Sequence, residues 1–151
     1  MLTLACSFDP DARELMVLRA ILRPYFESRN VPPGVGEDLV LVATELAANA
    51  IEAGSDQGEI RMRVNVAPDA AIIEVEDPGT GFGLAPADSP PSPHQDRGRG
   101  LWLVRTLTSE LAVERQEPRT IVRAVRRWGG PAARVRPPVR GGVSARLEKF
   151  S

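Results

Sequence analysis

Cysteine, lysine and histidine occur once each in this chain. With Cys6 alone, neither an internal disulfide nor a cysteine-based zinc site can form. Its alternation with Leu2 and Leu4 fits a small core residue on a strand. The single lysine, Lys149, lies almost at the C-terminus. That removes a P-loop, which needs Gly-Lys-Ser/Thr, and the strand lysine of ordinary protein kinases. His94 sits in a proline-rich loop, where a solvent-exposed side chain is expected. No apolar run approaches the length that crosses a bilayer. Met1-Leu2-Thr3-Leu4 has neither the basic start nor the apolar stretch of a signal peptide. A cytoplasmic location without membrane contact is therefore expected.

What is present is the profile of one globular domain: 151 residues, 42% hydrophobic and 26% charged. The net charge of −1 conceals an asymmetry. Residues 1–128 carry 14 basic and 19 acidic side chains, a balance of −5. Residues 129–151 carry five basic and one acidic, a balance of +4. An acidic body lacks the basic face from which nucleic-acid affinity derives, so no direct nucleic-acid partner is expected. Residues 129–151 are rich in Arg, Pro and Gly, bury little apolar surface, and are expected to form a disordered tail after a domain spanning 1–128.

Residues 2–7 read as a short strand. Asp9-Pro10 offers an N-cap followed by a first-turn proline, and Leu15, Leu18, Leu22 and Tyr25/Phe26 keep helical spacing. Pro32-Pro33-Gly34 is expected to break that helix. A second helix is predicted over 36–53, with Leu39, Val42, Leu46, Ala50 and Ala53 on one stripe and Gly54 ending it. Alternation at Ile60, Met62, Val64 and Val66 marks a strand, and Ala71, Ile73 and Val75 mark its antiparallel partner across the turn at 67–69. Residues 78–97 are loop-like; a helix starts near Gly98 and runs through Leu107. Two strands follow, over 111–114 and 120–128. The order β-α-α-β-β-loop-α-β-β predicts an α+β, two-layer sandwich with helices on one face of a mostly antiparallel mixed sheet.

Four features carry chemistry. Glu45 and Asn49 stand four apart on the second helix and share a face. Asn49 falls beside the apolar stripe, where an amide must find partners or cost free energy; an Asn that reaches water or a nearby carbonyl fits the same position. Asp77 ends its strand on the parity of Ile73 and Val75. It reads either as the turn-former of Asp-Pro-Gly or as an acceptor for a ligand's amino group. Gly79-Thr80-Gly81-Phe82-Gly83 follows, letting the backbone pass close to a flat ligand. Gly98-Arg99-Gly100-Leu101 opens the third helix, whose N–H groups and dipole suit phosphate. Leu84 and Leu103 occupy the third positions of the two glycine pairs, which excludes a dinucleotide fingerprint.

Together these segments resemble a known family. Glu45-Leu-Ala-Ala-Asn49-Ala-Ile-Glu is similar to the N-box of the Bergerat (histidine-kinase-like ATPase, GHKL) superfamily. Asp77-Pro-Gly79-Thr-Gly81-Phe resembles its first glycine box, and Gly98-Arg-Gly100-Leu101-Trp-Leu-Val its second. The short chain and the N-box ending Asn-Ala-Ile-Glu-Ala-Gly look most like the anti-sigma-factor serine kinases of bacteria. The resemblance covers about residues 1–128 and implies the Bergerat fold, bound ATP or ADP, and Mg²⁺. It implies that Asn49 would ligate Mg²⁺ and that Asp77 would accept from the adenine amino group. Gly79 and Gly81 would line the purine pocket, while Gly98, Arg99, Gly100 and Leu101 would form the phosphate side. Thr120 would support Asp77, although a β-branched strand residue needs no such role. Glu45 would be the general base or polariser for an incoming serine hydroxyl. The chain departs from the pattern at three places. Ala53 stands where many relatives have histidine, Arg119 replaces a glycine before the strand threonine, and the loop between the glycine boxes is short and proline-rich.

The resemblance therefore implies an anti-sigma serine/threonine kinase that sequesters a sigma factor and phosphorylates an antagonist protein, with a homodimer as the assembly of its relatives. Two alternatives stand beside it: a non-catalytic ATP- or ADP-responsive regulator, and a detached histidine kinase catalytic domain. No long dimerising helix pair bearing a phospho-accepting histidine supports the second alternative.

Overall fold

The computed structural model describes residues 3–54, 58–78, 99–116 and 118–129. In chain order the elements are β1 (Leu4–Phe8), α1 (Glu14–Ser28), α2 (Pro33–Gly54), β2 (Ile60–Ala67), β3 (Ala70–Asp77), α3 (Arg99–Leu107), β4 (Glu110–Gln116) and β5 (Arg119–Arg127). The strands form one open sheet in the order β1-β2-β3-β5-β4, antiparallel in every described pairing.

Side-chain parity decides which face the helices cover. Antiparallel register sets Met62 opposite Val75 and Val75 opposite Val122, so these three share a face. Leu18, Leu22 and Phe26 of α1, Leu39, Val42, Leu46 and Ala50 of α2, and Val104 of α3 join that row in one core. All three helices thus lie on the same side, giving the two-layer α+β sandwich expected from the element order. Burying each Leu, Phe or Val contributes about 1.5–3 kcal/mol. Tyr25 ties α1 to the sheet by donating its hydroxyl to the Val64 carbonyl at 3.1 Å. Cys6 is half-buried against the core, and burial pushes its thiol up.

The element ends differ from the sequence reading for local reasons. The first helix starts at Glu14, not beside Asp9-Pro10, because Asp11 ties up the entry. Its carboxylate accepts the Arg13 N–H at 2.9 Å and its carbonyl accepts the Glu14 N–H at 3.0 Å. The helix ends before the two prolines: Asn30 turns the chain in the left-handed region, at φ 57°. Pro33 then opens α2 instead of breaking a helix, as suits a residue whose missing N–H would have no partner in the first turn.

At one end of the layers, α2 and α3 are tied together through β5. Arg126 donates to the Leu107 carbonyl at 2.7 Å and pairs with Asp38 at 3.1 Å. A guanidinium at the last carbonyls of α3 also opposes the helix dipole there. The opposite end carries the polar residues singled out by sequence.

Candidate functional site

Chain direction brings these residues to one end. The C-terminal half of α2 carries Glu45 and Asn49 and leads towards the start of β2. That start lies beside the end of β3, since Arg61 is opposite Glu76. Asp77, the last residue of β3, pairs directly with Thr120, near the start of β5. Both are 2% exposed. They continue the parity of Val75 and Val122 and therefore face the helical layer.

The Asp77–Thr120 pair is unusual for a core row. An apolar residue at either position would extend the Met62–Val75–Val122 row without any desolvation cost. Instead the Thr120 hydroxyl is buried with no hydrogen-bond partner among the described residues. The same is true of the Asn49 amide nitrogen on α2. A buried polar group left unmatched costs about 1–3 kcal/mol. By contrast, Thr44, also 2% exposed, is satisfied within its own helix through the Val40 carbonyl at 2.7 Å. Among the buried polar atoms without a hydrogen-bond partner in the described residues, which also include groups on the far face of the sheet, Asn49 Nδ2 and Thr120 Oγ1 belong to residues that the sequence singles out.

α3 closes the other side. Gly100, in its first turn, lies directly against Glu45: a Cβ added there would overlap the Glu45 carboxylate, with its Cδ only 3.3 Å away. Hydrogen is the only side chain that leaves the carboxylate in place. Glu45 therefore stands beside the helix terminus whose free N–H groups face the same end. Leu101 follows, half-buried. Arg99 begins α3. Gly79, Gly81 and Gly98, with His94, lie outside the described residues. Ala53 lies on the last turn of α2, partly exposed.

Arg119, the departure beside Thr120, leaves the helical face clear. As the neighbour of an inward residue it points to the opposite face of the sheet, where its Nη1 lies 2.9 Å from Glu76 Oε1. Glu74 and Glu76 alternate with Ile73, Val75 and Asp77 and so point to that opposite face, yet they are only 6% and 3% exposed. Arg123 approaches Glu74 at 3.5 Å on the same face. The signal was available as two glutamates on one parity of β3, facing arginines on matching parity of β2 and β5.

The geometry fits a bound nucleotide on three counts: a buried carboxylate paired with a buried hydroxyl, an unmatched amide nitrogen, and a helix start kept free of side chain. Among the described residues there is no cluster of three or more His, Cys, Asp or Glu that could hold a metal. A cation here would take Asn49 and oxygens of the ligand itself. No helix among the described residues is long and apolar enough to cross a membrane.

Fold and site together define a class: a two-layer α+β domain with its polar ligand end between helices and the end of an antiparallel sheet. The chain belongs to the histidine kinase-like ATPase domain family, whose family model matches residues 8–126. Among solved structures, it is similar to the RsbU and RsbW domains of Rv1364c from Mycobacterium tuberculosis, with a TM-score of 0.65 and 20% identity. The match covers 87% of this chain and 34% of that one, so the chain spans about a third of its length. At that identity the likeness speaks for the fold. No curated protein matches the chain.

Proposed function

We propose that this protein is an ATP-binding anti-sigma regulator that transfers the γ-phosphate of ATP to a serine or threonine of an antagonist protein. The observation that carries the nucleotide part is the buried Asp77–Thr120 pair. Its carboxylate can accept from an adenine amino group, and its hydroxyl, free of any partner among the described residues, can bond a ring nitrogen or a bridging water. In the orientation that sets an adenine amino group on Asp77, a guanine would present its carbonyl there and be repelled.

Gly79 and Gly81 would line the purine, and Gly98, Arg99, Gly100 and Leu101 would receive phosphate oxygens on backbone N–H groups at the start of α3. Asn49 can meet two needs at once. Its orphaned Nδ2 can donate to a phosphate oxygen, and its Oδ1 can ligate Mg²⁺. Mg²⁺, when bound, would neutralise charge between the phosphates, which is most of what phosphoryl transfer asks of a site. Glu45, one turn from Asn49 and against the α3 terminus, would orient the incoming hydroxyl and take its proton. The resemblance of the segment from Glu45 to Gly54 to the N-box of anti-sigma-factor serine kinases supports reading the protein as part of a partner-switching system. The partners would be a sigma factor and its antagonist, met by the protein as a homodimer in the cytoplasm.

The test is transfer from γ-labelled ATP to a candidate antagonist. Label on serine or threonine with the native protein, and none with Glu45→Ala despite retained ATP binding, is expected. Tight ATP binding with no label on any candidate would favour the non-catalytic regulator.

A further inference from the structure

Every antiparallel ladder has a last pair, held on one side only and therefore prone to fray. In the β3–β5 ladder the last pair in the register is Asp77 and Thr120. A site that depends on those two side chains needs something to hold the strand ends together.

That holding group lies on the far face. Glu76 precedes Asp77 on β3, and Arg119 precedes Thr120 on β5; in antiparallel register they are diagonal neighbours that straddle the last pair from behind. The Arg119 guanidinium reaches Glu76 at 2.9 Å, and Arg61 of β2 approaches the same oxygen at 4.0 Å. The Glu76 side chain is 4% exposed, whereas those of Arg119 and Arg61 are 36% and 48% exposed. A carboxylate this buried depends on its cation, because removing one member of a buried pair leaves an uncompensated charge. The other Glu76 oxygen, Oε2, is buried with no hydrogen-bond partner among the described residues, which increases that dependence.

We propose that Arg119, through Glu76, is a positioning residue for the nucleotide site: the ion pair behind the sheet clamps the ends of β3 and β5 and so fixes the Asp77–Thr120 pair in front. This rests on the reading of Asp77 and Thr120 as adenine contacts. It also gives a role to one of the residues at which this chain departs from the family pattern. A glycine at 119 would leave the last pair unbraced, and the other end of the same strands supplies a comparison. There, at the far end of β5, Arg127 pairs with Glu110 of β4 at 2.6 Å on the same outer face, an ion pair that bridges β5 to β4 rather than to β3 and lies far from Asp77.

The experiment is calorimetric titration of Mg-ATP into the full chain, well below each variant's melting temperature. Arg119→Met is expected to weaken binding about tenfold, within the range of coupling between neighbours in one ion-pair network. Arg119→Lys should recover most of that loss by restoring the charge, and Arg127→Met should bind as the native protein does. If Arg119→Met does not fold, Glu76→Gln carries the test, since it leaves only a half-exposed, hydrated arginine behind; it too should weaken binding. Native affinity in folded Arg119→Met or in Glu76→Gln would overturn the clamp while leaving the nucleotide site standing. An equal loss in Arg127→Met would overturn it as well, by showing general loosening of the sheet. Absence of ATP binding in the native protein would overturn the nucleotide reading itself, and the clamp with it.

Discussion

Replacing Gly100 with alanine separates stability from catalysis at a single methyl group. Alanine in place of a helical glycine gains about 1 kcal/mol from reduced backbone freedom, and somewhat less in a first turn. Against this stands the overlap of the new Cβ with the Glu45 carboxylate. The obstructing atoms are the far end of a flexible side chain on a partly exposed position, so Glu45 can swing aside. An off-rotamer shift costs about 0.5–1.5 kcal/mol. The two terms nearly cancel, and chemical denaturation should find Gly100→Ala within about 1 kcal/mol of the native protein. Function should not be so tolerant. The carboxylate moves by the order of 1 Å, a displacement that can cost about 100-fold in a positioned reaction. ATP affinity should stay near native, because the N–H groups of α3 are untouched. Native phosphotransfer in Gly100→Ala would refute the role of Glu45. A stability loss of several kcal/mol would refute the account of the packing.

Three further outcomes follow from the same reasoning. Asp77→Asn keeps the shape but removes the charged acceptor, worth about 1.5–3 kcal/mol in a hydrogen bond, so ATP affinity should fall at least tenfold by calorimetry. Leu46→Ala empties a fully buried position of α2 and should cost about 2–5 kcal/mol in denaturant unfolding, without altering the ATP site chemistry. Asp11, held first by the Arg13 side chain and then by its backbone N–H, has a carboxyl lowered to about 2. A lowered folded value stabilises above the unfolded carboxylate value of about 4, and that contribution disappears as pH falls through the folded value. An NMR titration midpoint for Asp11 near 4 would contradict the Asp11–Arg13 pairing.

The fold was legible because its signals are periodic. Alternation in β2 and β3 and the apolar stripe of α2 each name a face, and only one arrangement of those faces makes a single core. Helix entries were less legible: Asp11 displaces the cap suggested by Asp9-Pro10 through local hydrogen bonds, and Pro33 opens α2 because its missing N–H costs nothing in a first turn. Within the site, Asn49 and Asp77 were conspicuous as polar residues on apolar parity, and Thr120 shared parity with Val122. The closeness of Gly100 to Glu45 was not legible, because it depends on how α3 packs against α2. Nor was the burial of Glu76, which depends on arginines from two other strands converging on one carboxylate. Strand parity beside the inward Thr120 explains why Arg119, conspicuous as a departure, leaves the front of the sheet clear.

The central claim is that a nucleotide occupies the end of the molecule marked by Asn49, Asp77, Gly100 and Thr120. Backbone chemical-shift mapping of the isotope-labelled protein during titration with Mg-ATP tests it most directly. Saturable shifts are expected, centred on those four residues and their chain neighbours, with Arg126 and Asp38 at the opposite end unmoved. Shifts confined to the Arg126 end, or none at millimolar Mg-ATP, would contradict it.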